Sequence, residues 1–213
     1  EVADVIGHKP LHKIYPPHAT DPGIDAPFVS IHLACCNEPP AMVNLTIDSL
    51  TALDYPNFEV IVVDNNTKDP ALWEPVKKHC EELGSRVKFF SLGKWPGYKA
   101  GAVNFALKKT DPRAQVVGVV DADYIVDKRW LNATIPYFAD PNVAVVQCPQ
   151  EHRNWENNIY LRMENDGYTG FFRIGMVQRN EDNAIIQHGT MTLVNRKMLD
   201  DLNGWSEWNI TED

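Results

Sequence analysis

Two aspartates one residue apart, Asp121 and Asp123, follow directly on the apolar run Val116–Val120. Paired carboxylates offer hard oxygen ligands of the kind Mg2+ or Mn2+ takes, and such a cation also takes phosphate oxygens. The triplet alone arises on the order of once by chance in a chain of ordinary acidity. It can also cap a following helix, since Asp is favoured there. Its position at the end of an apolar run is what favours the metal. Asp64 closes a second apolar run and opens Asn65-Asn66-Thr67. That segment fits a polar turn as well as a carboxylate accepting hydrogen bonds from a base N–H or a ribose hydroxyl. Gly97-Tyr98-Lys99-Ala100-Gly101 puts a lysine at the start of a helical stretch, between residues too small to block approach. A helix N-terminus of that kind suits a phosphate, although GxxxxGK[ST] and GxGxxG are both absent. Taken alone, the stretch is better explained by a solvated lysine beside a pair of loop glycines. Thr211-Glu212-Asp213 ends the sequence, where acidic residues ordinarily carry no function.

These residues need elements to position them. Phe28–Cys35 and Phe58–Val63 read as strands, and Val43, Ile47 and Leu50 form a helical stripe between them. The spacing then predicts a helix over Ala71–Leu83, a strand Val87–Ser91, a helix Ala100–Lys109 and the strand Val116–Val120. Beyond these come a helical Trp130–Phe138, a strand Val143–Gln147 and a longer helical stretch Asn157–Arg179, whose Gly167, Gly170 and Gly175 leave its continuity open. Ile185–Val194 reads as mostly extended and Arg196–Leu202 as a short helix. Continuous apolar strands alternating with helices predict an α/β fold: a mostly parallel sheet with helices on both faces. Ligands in such sheets sit beyond the carboxyl ends of the strands. Asn37, Glu38, Asp64, Asp121 and Asp123 all fall there.

Composition narrows the partners. The 213 residues carry 20 Lys and Arg against 29 Asp and Glu, a net charge of −9. That field repels nucleic-acid polymer while leaving a small phosphate ligand held with a metal possible. No apolar run approaches the roughly 18–20 residues that a bilayer requires, and no secretory leader is evident. Cys35, Cys36, Cys80 and Cys148 contain no CxxC and read as reduced thiols. Residues 1–27, with five prolines, read as an extended arm, and 28–213 as one domain.

Taken in order, the segments resemble the family 2 glycosyltransferases, especially the cellulose-synthase-like branch of glycan synthases. The matching residues are Cys36-Asn37-Glu38-Pro39, Val63-Asp64-Asn65, Lys99-Ala100-Gly101-Ala102-Val103-Asn104, Asp121 to Asp123 and Val146-Gln147-Cys148-Pro149-Gln150. Gly189-Thr190 and the run from Gly204-Trp205 to Thr211-Glu212-Asp213 complete the series. Asn37-Glu38-Pro39-Pro40 and the segment from Val63 to Pro70 look most like bacterial β-(1→3)-glucan synthases of the cyclic-glucan type. The resemblance implies a GT-A (Rossmann-like) fold, UDP-glucose as donor, a β-glucan acceptor and inversion. It implies that Glu38 and Asp64 contact the uridine and Lys99 the uracil or diphosphate. Asp121 would hold the nucleotide–metal assembly, Asp123 would ligate Mg2+ or Mn2+, and Asp213 would be the general base. Gly189, Thr190 and Glu212 would lie on the acceptor side. Two positions depart from the pattern: Cys36 stands where an aromatic residue often stacks on uracil, and Asn65 replaces the second Asp of DDG. The family's Q-x-x-R-W segment and membrane helices follow TED, so the chain reads as a cytosolic fragment from the cytoplasmic face of a bacterial inner membrane, poor in polymer synthesis. A haloacid-dehalogenase-like phosphatase, or a nucleotide-sugar-binding module without catalysis, are the competing readings.

Overall fold

The computed structural model describes residues 26–208. Thr211, Glu212 and Asp213 lie outside the described residues, as does nearly all of the expected 1–27 arm. Six strands form one sheet: β1 Phe28–Cys35, β2 Phe58–Asp64, β3 Val87–Ser91, β4 Ala114–Asp121, β5 Val145–Gln147 and β6 Thr192–Asn195, in the order β3-β2-β1-β4-β6-β5. The pairings β3-β2, β2-β1 and β1-β4 are parallel. β6 runs antiparallel to both β4 and β5. The α/β architecture and the mostly parallel sheet are therefore as expected.

The helices are α1 Pro40–Thr51, α2 Pro70–Glu82, α3 Tyr98–Lys109, α4 Trp130–Thr134, α5 Ile159–Gly170, α6 Met176–Glu181 and α7 Arg196–Asp201. Strands covered by helices on both faces are buried along nearly their whole length, which is why β2 carries the run Val60–Val63 and β4 the run Val116–Val120, while β1 alternates Val29, Ile31 and Leu33 with the buried Ser30 and His32. Ile31, Leu33, Val60, Val62 and Val120 face α1, α2 and α4, meeting Val43, Ile47, Leu50, Val76 and Leu131. On the opposite face Ile61 and Val63 meet Ala102 and Ala106 of α3, while Val117 and Val194 meet Leu199 of α7. Full burial of a side chain such as Ile47 or Leu50 contributes about 1.5–3 kcal/mol.

Register sets the ligand edge. Cys35 pairs with Asp64, and Ala34 with Asp121, so the carboxyl ends of three parallel strands finish at one level.

Two expectations are corrected. β5 begins at Val145 rather than Val143, because Val143 N–H closes a turn onto Asp140 O at 3.1 Å. Of Ile185–Val194 only the last residues are strand: Thr192 opens β6, and the stretch before it is held by side chains instead of a ladder. The helical stretch expected over Asn157–Arg179 is met and is continuous through its glycines, α5 joining α6 through a π turn, Phe171–Gly175. Asn158 starts α5, its Oδ1 accepting from Tyr160 N–H at 2.8 Å.

Candidate active site

A cavity of about 830 Å3 opens at the carboxyl ends of β1, β2 and β4. Glu38, Lys99, Asp121 and Asp123 all line it. Lys99 leaves the first turn of α3 and bridges two sides of the cleft: its Nζ is 2.6 Å from Asp121 Oδ1 and donates to Gly189 O at 2.7 Å. The α3 N-terminus sits tightly on the preceding loop. A Cβ on Gly101 would lie 2.0 Å from Pro96 O, so only glycine lets the loop and helix approach this closely.

Glu38 folds back so that its carboxylate accepts from Cys36 N–H. Burial raises its pKa above the ordinary carboxylate value, and the charges of Asp64 and Asp123 add to the rise. Asp123 is exposed to the cavity, and its main-chain carbonyl accepts from Arg153 Nη2 at 2.9 Å.

Asp64 does not line the cavity; it lies just beneath the wall, 3% exposed. Its Oδ2 accepts from Thr67 Oγ1 at 2.7 Å, and Thr67 Oγ1 accepts from Asn37 N–H at 2.9 Å. Asp64 thereby holds the Asn37–Glu38 turn, in which Asn37 has φ 65°. Its Oδ1 is buried with no partner among the described residues, and burial raises the pKa of the group. The neighbouring Asn65 does line the cavity, its Nδ2 donating to Tyr98 O at 3.0 Å.

The antiparallel β6 brings in Gly189 and Thr190. Because β6 starts where β4 ends, the residues preceding it arrive beside Asp121. Thr190 Oγ1 accepts from Asp121 N–H at 2.9 Å, fixing the first carboxylate of the pair. Gln147 holds this loop from the other side. Its Oε1 accepts from His188 N–H at 2.9 Å and Thr192 Oγ1 at 2.6 Å, while its Nε2 donates to Thr190 O at 3.0 Å. Gln150, nearly buried, accepts from Tyr124 OH at 2.6 Å. Neither glutamine received a role from the sequence, although both stand in the Val146–Gln150 match.

A divalent cation fits this donor set. Among the described residues no three His, Cys, Asp or Glu side chains gather into a complete cage. Asp121 and Asp123 would hold the ion by two carboxylates and leave its other positions to diphosphate oxygens and water, the usual arrangement for Mg2+. Of the expected site residues, Glu38, Lys99, Asp121, Asp123, Gly189 and Thr190 are brought together and Asp64 braces them from below. Glu212 and Asp213 fall outside the described residues.

The description "Glycosyl transferase family 2" matches residues 30–202. The chain belongs to this family. As a family 2 glycosyltransferase it is 32% identical over 209 residues to the β-monoglucosyldiacylglycerol synthase of Synechocystis sp., covering 93% of this chain and 41% of that protein. It is 27% identical to the cellulose synthase catalytic subunit [UDP-forming] of Pseudomonas fluorescens, covering 88% of this chain and 25% of the relative. The glucomannan 4-β-mannosyltransferase 1 of Cyamopsis tetragonoloba is 28% identical, with 88% and 37% covered. This family 2 chain thus spans less than half the length of these curated relatives. Its fold is that of the mannosyltransferase PcManGT from Pyrobaculum calidifontis, solved in complex with GDP-Man and Mn2+, at a TM-score of 0.66, 24% identity and coverage of 85% of this chain and 48% of the other. S. aureus TarS 1-349 in complex with UDP-GlcNAc superposes at a TM-score of 0.55, 18% identity, with 84% and 48% covered. The GT-A expectation is met. Family membership also removes the dehalogenase-like phosphatase reading. No helix among the described residues is long and apolar enough to cross a membrane.

Proposed function

We propose that this chain is the donor-binding and catalytic module of a longer, inverting UDP-sugar β-glycosyltransferase. It moves glucose from UDP-glucose to a growing β-glucan, β-(1→3) in linkage, at the cytoplasmic face of a bacterial inner membrane. The observation that carries the reading is the convergence of Lys99, Asp121, Asp123 and Glu38 on one cavity at the carboxyl edge of the sheet. The curated relatives' names support a β-linked hexosyl product, and one carries the label UDP-forming. The linkage rests on the local segments at Asn37–Pro40 and Val63–Pro70.

In this mechanism Asp121 and Asp123 hold Mg2+ or Mn2+, which when bound neutralises charge on the departing diphosphate. Lys99, anchored on Asp121 and Gly189, presents a second positive charge at the same place. Glu38 meets the nucleoside end of the cavity, and Asp64 holds that turn in shape. Asp213 takes the proton from the acceptor hydroxyl as that oxygen attacks the anomeric carbon. Gly189, Thr190 and Glu212 border the acceptor. One displacement inverts the centre, whereas a retaining path would need a carboxylate nucleophile against the anomeric carbon.

A second reading, GDP-mannose as donor, is favoured by the mannosyltransferases among the relatives and by the PcManGT complex. Calorimetry decides between them: UDP is expected to bind wild type with Mn2+ or Mg2+ and to lose its metal-dependent part in Asp123→Ala. Binding of GDP but not UDP selects the second reading, and metal-independent binding of either removes the mechanism. In the full-length protein Asp213→Asn is expected to abolish transfer with UDP affinity intact, since an amide cannot accept the proton.

A further inference from the structure

Asn104 lies in the middle of α3, away from the cavity, and is half-buried. Its amide grips a segment a hundred residues further along the chain. Nδ2 donates to Trp205 O at 2.8 Å and to Glu207 Oε1 at 2.7 Å, while Oδ1 accepts from Trp205 N–H at 2.8 Å. A primary amide carries a donor nitrogen and an acceptor oxygen side by side, so it can pair with both the C=O and the N–H of one residue. The approach is close enough to dictate the neighbouring residue: a Cβ on Gly204, whose φ is +86°, would lie 2.5 Å from Asn104 Oδ1. The Trp205 ring adds a second hold, packing with Leu107 against Val117, Val194 and Leu199.

The grip ends at the donor site. Glu207 Oε2 would lie 2.9 Å from a Cβ on Gly97, and Gly97 lines the cavity two residues before Lys99. The segment Gly204–Glu207 is therefore fastened along α3 up to the rim of the nucleotide cleft. Asp213 stands six residues beyond Glu207, at most roughly 20 Å of extended chain.

We propose that Asn104 is a positioning residue for glycosyl transfer: its two-way amide clamp on Trp205, extended to Glu207, sets the point on the cavity rim from which the chain departs toward Asp213. The inference rests on the glycosyltransferase reading above and on Asp213 as base, and adds the group that delivers it. Asn104 touches neither nucleotide nor sugar, so its effect falls on turnover and not on donor affinity.

The test uses the full-length protein with UDP-glucose as donor. Asn104→Asp keeps the shape and the bond from Trp205 N–H but turns an oxygen toward Trp205 O and the Glu207 carboxylate, two acceptors. The expected result is a fall in kcat of at least about tenfold with the UDP dissociation constant in Mn2+ within about twofold of wild type. Asn104→Ser, which opens the clamp with no added charge, is expected to give the same split. Adding Glu207→Gln to Asn104→Asp supplies a donor opposite the new oxygen and is expected to recover kcat at least threefold. Unchanged kcat in both single variants overturns the inference alone, as does a loss of UDP affinity in step with kcat, which marks a merely structural residue. Absence of metal-dependent UDP binding in wild type overturns the glycosyltransferase reading, and the inference with it.

Discussion

His32, in the middle of β1, is fully buried, and replacing it tests the core from which the site hangs. Its Nε2 lies 2.8 Å from Thr110 Oγ1 and 3.2 Å from Ser30 Oγ. Thr110 Oγ1 donates to Ala106 O at 3.0 Å and Ser30 Oγ donates to the Glu59 carboxylate at 2.9 Å. Both hydroxyl hydrogens are committed, so the ring proton is assigned to Nε2 and Nδ1 is left bare, buried and without a partner among the described residues. A second proton would have to enter apolar surroundings; burial, with Arg196 adding repulsion, pushes the His32 pKa down to about 3. The unfolded chain binds that proton near pH 6.5 and the folded chain does not, so stability is lost as pH falls through this window. At about 1.4 kcal/mol per pH unit the loss reaches about 3 kcal/mol at pH 4.5 and about 5 kcal/mol near pH 3. Urea unfolding followed by tryptophan fluorescence, at pH 7.0 and 4.5, measures it in wild type and in His32→Gln. The variant keeps a donor near Thr110 and cannot titrate. Carboxylates contribute equally to both proteins, including Glu38 and Asp64, whose raised pKa values stabilise the fold as pH falls. The expected excess loss in wild type is about 3 kcal/mol. Equal losses in the two proteins would refute the buried, neutral assignment.

Two further outcomes follow from the site. Gly101→Ala drives a Cβ to 2.0 Å from Pro96 O, a main-chain atom that cannot rotate away; a destabilisation of about 1–3 kcal/mol is expected despite alanine's better helix propensity. A thermal midpoint at or above that of wild type contradicts it. Thr190→Val keeps the side chain's shape but leaves Asp121 N–H without its acceptor, a cost of about 1–3 kcal/mol. UDP affinity in Mn2+, measured by calorimetry, is expected to weaken about tenfold, whereas Thr190→Ser stays near wild type; equal affinities in the two variants remove the hydroxyl from the design.

Much of the sheet was readable because β1, β2 and β4 are buried on both faces, and burial on both faces leaves the same mark in any sequence. The stripe of Val43, Ile47 and Leu50 was readable for the complementary reason, one buried face on a helix. β6 was not. Four residues wedged antiparallel between β4 and β5 have no distinguishing period, and the preceding Ile185–His188 looks extended because its order comes from Gln147 rather than from its own pattern. The helix from Ile159 to Glu181 was readable as a helical stretch but not as a continuous one: Gly167 and Gly170 stay within α5, and Gly175 closes the π turn. At the site, Asp121 and Asp123 declared themselves by standing at a strand end. Lys99 offered a phosphate site through its place at a helix start, whereas the role expected of Glu38 came through the family resemblance. Asp64 was correctly placed at a strand end, yet burial of that last strand residue keeps it beneath the cavity wall. Asn104 stood in the Lys99–Asn104 match but received no role, because one asparagine on a helix looks like a solvated face until its partners a hundred residues away are known.

The reversed direction of β6 also has a temporal side. The carboxylates of Asp121 and Asp123 emerge early, but the hydroxyl that secures the Asp121 main chain belongs to Thr190, 69 residues later. At about 5–20 residues per second, roughly 3 to 14 seconds of translation separate the two. A nascent chain can therefore have all four parallel strands, and Lys99 beside Asp121, before the hydroxyl that accepts from the Asp121 main chain has been made.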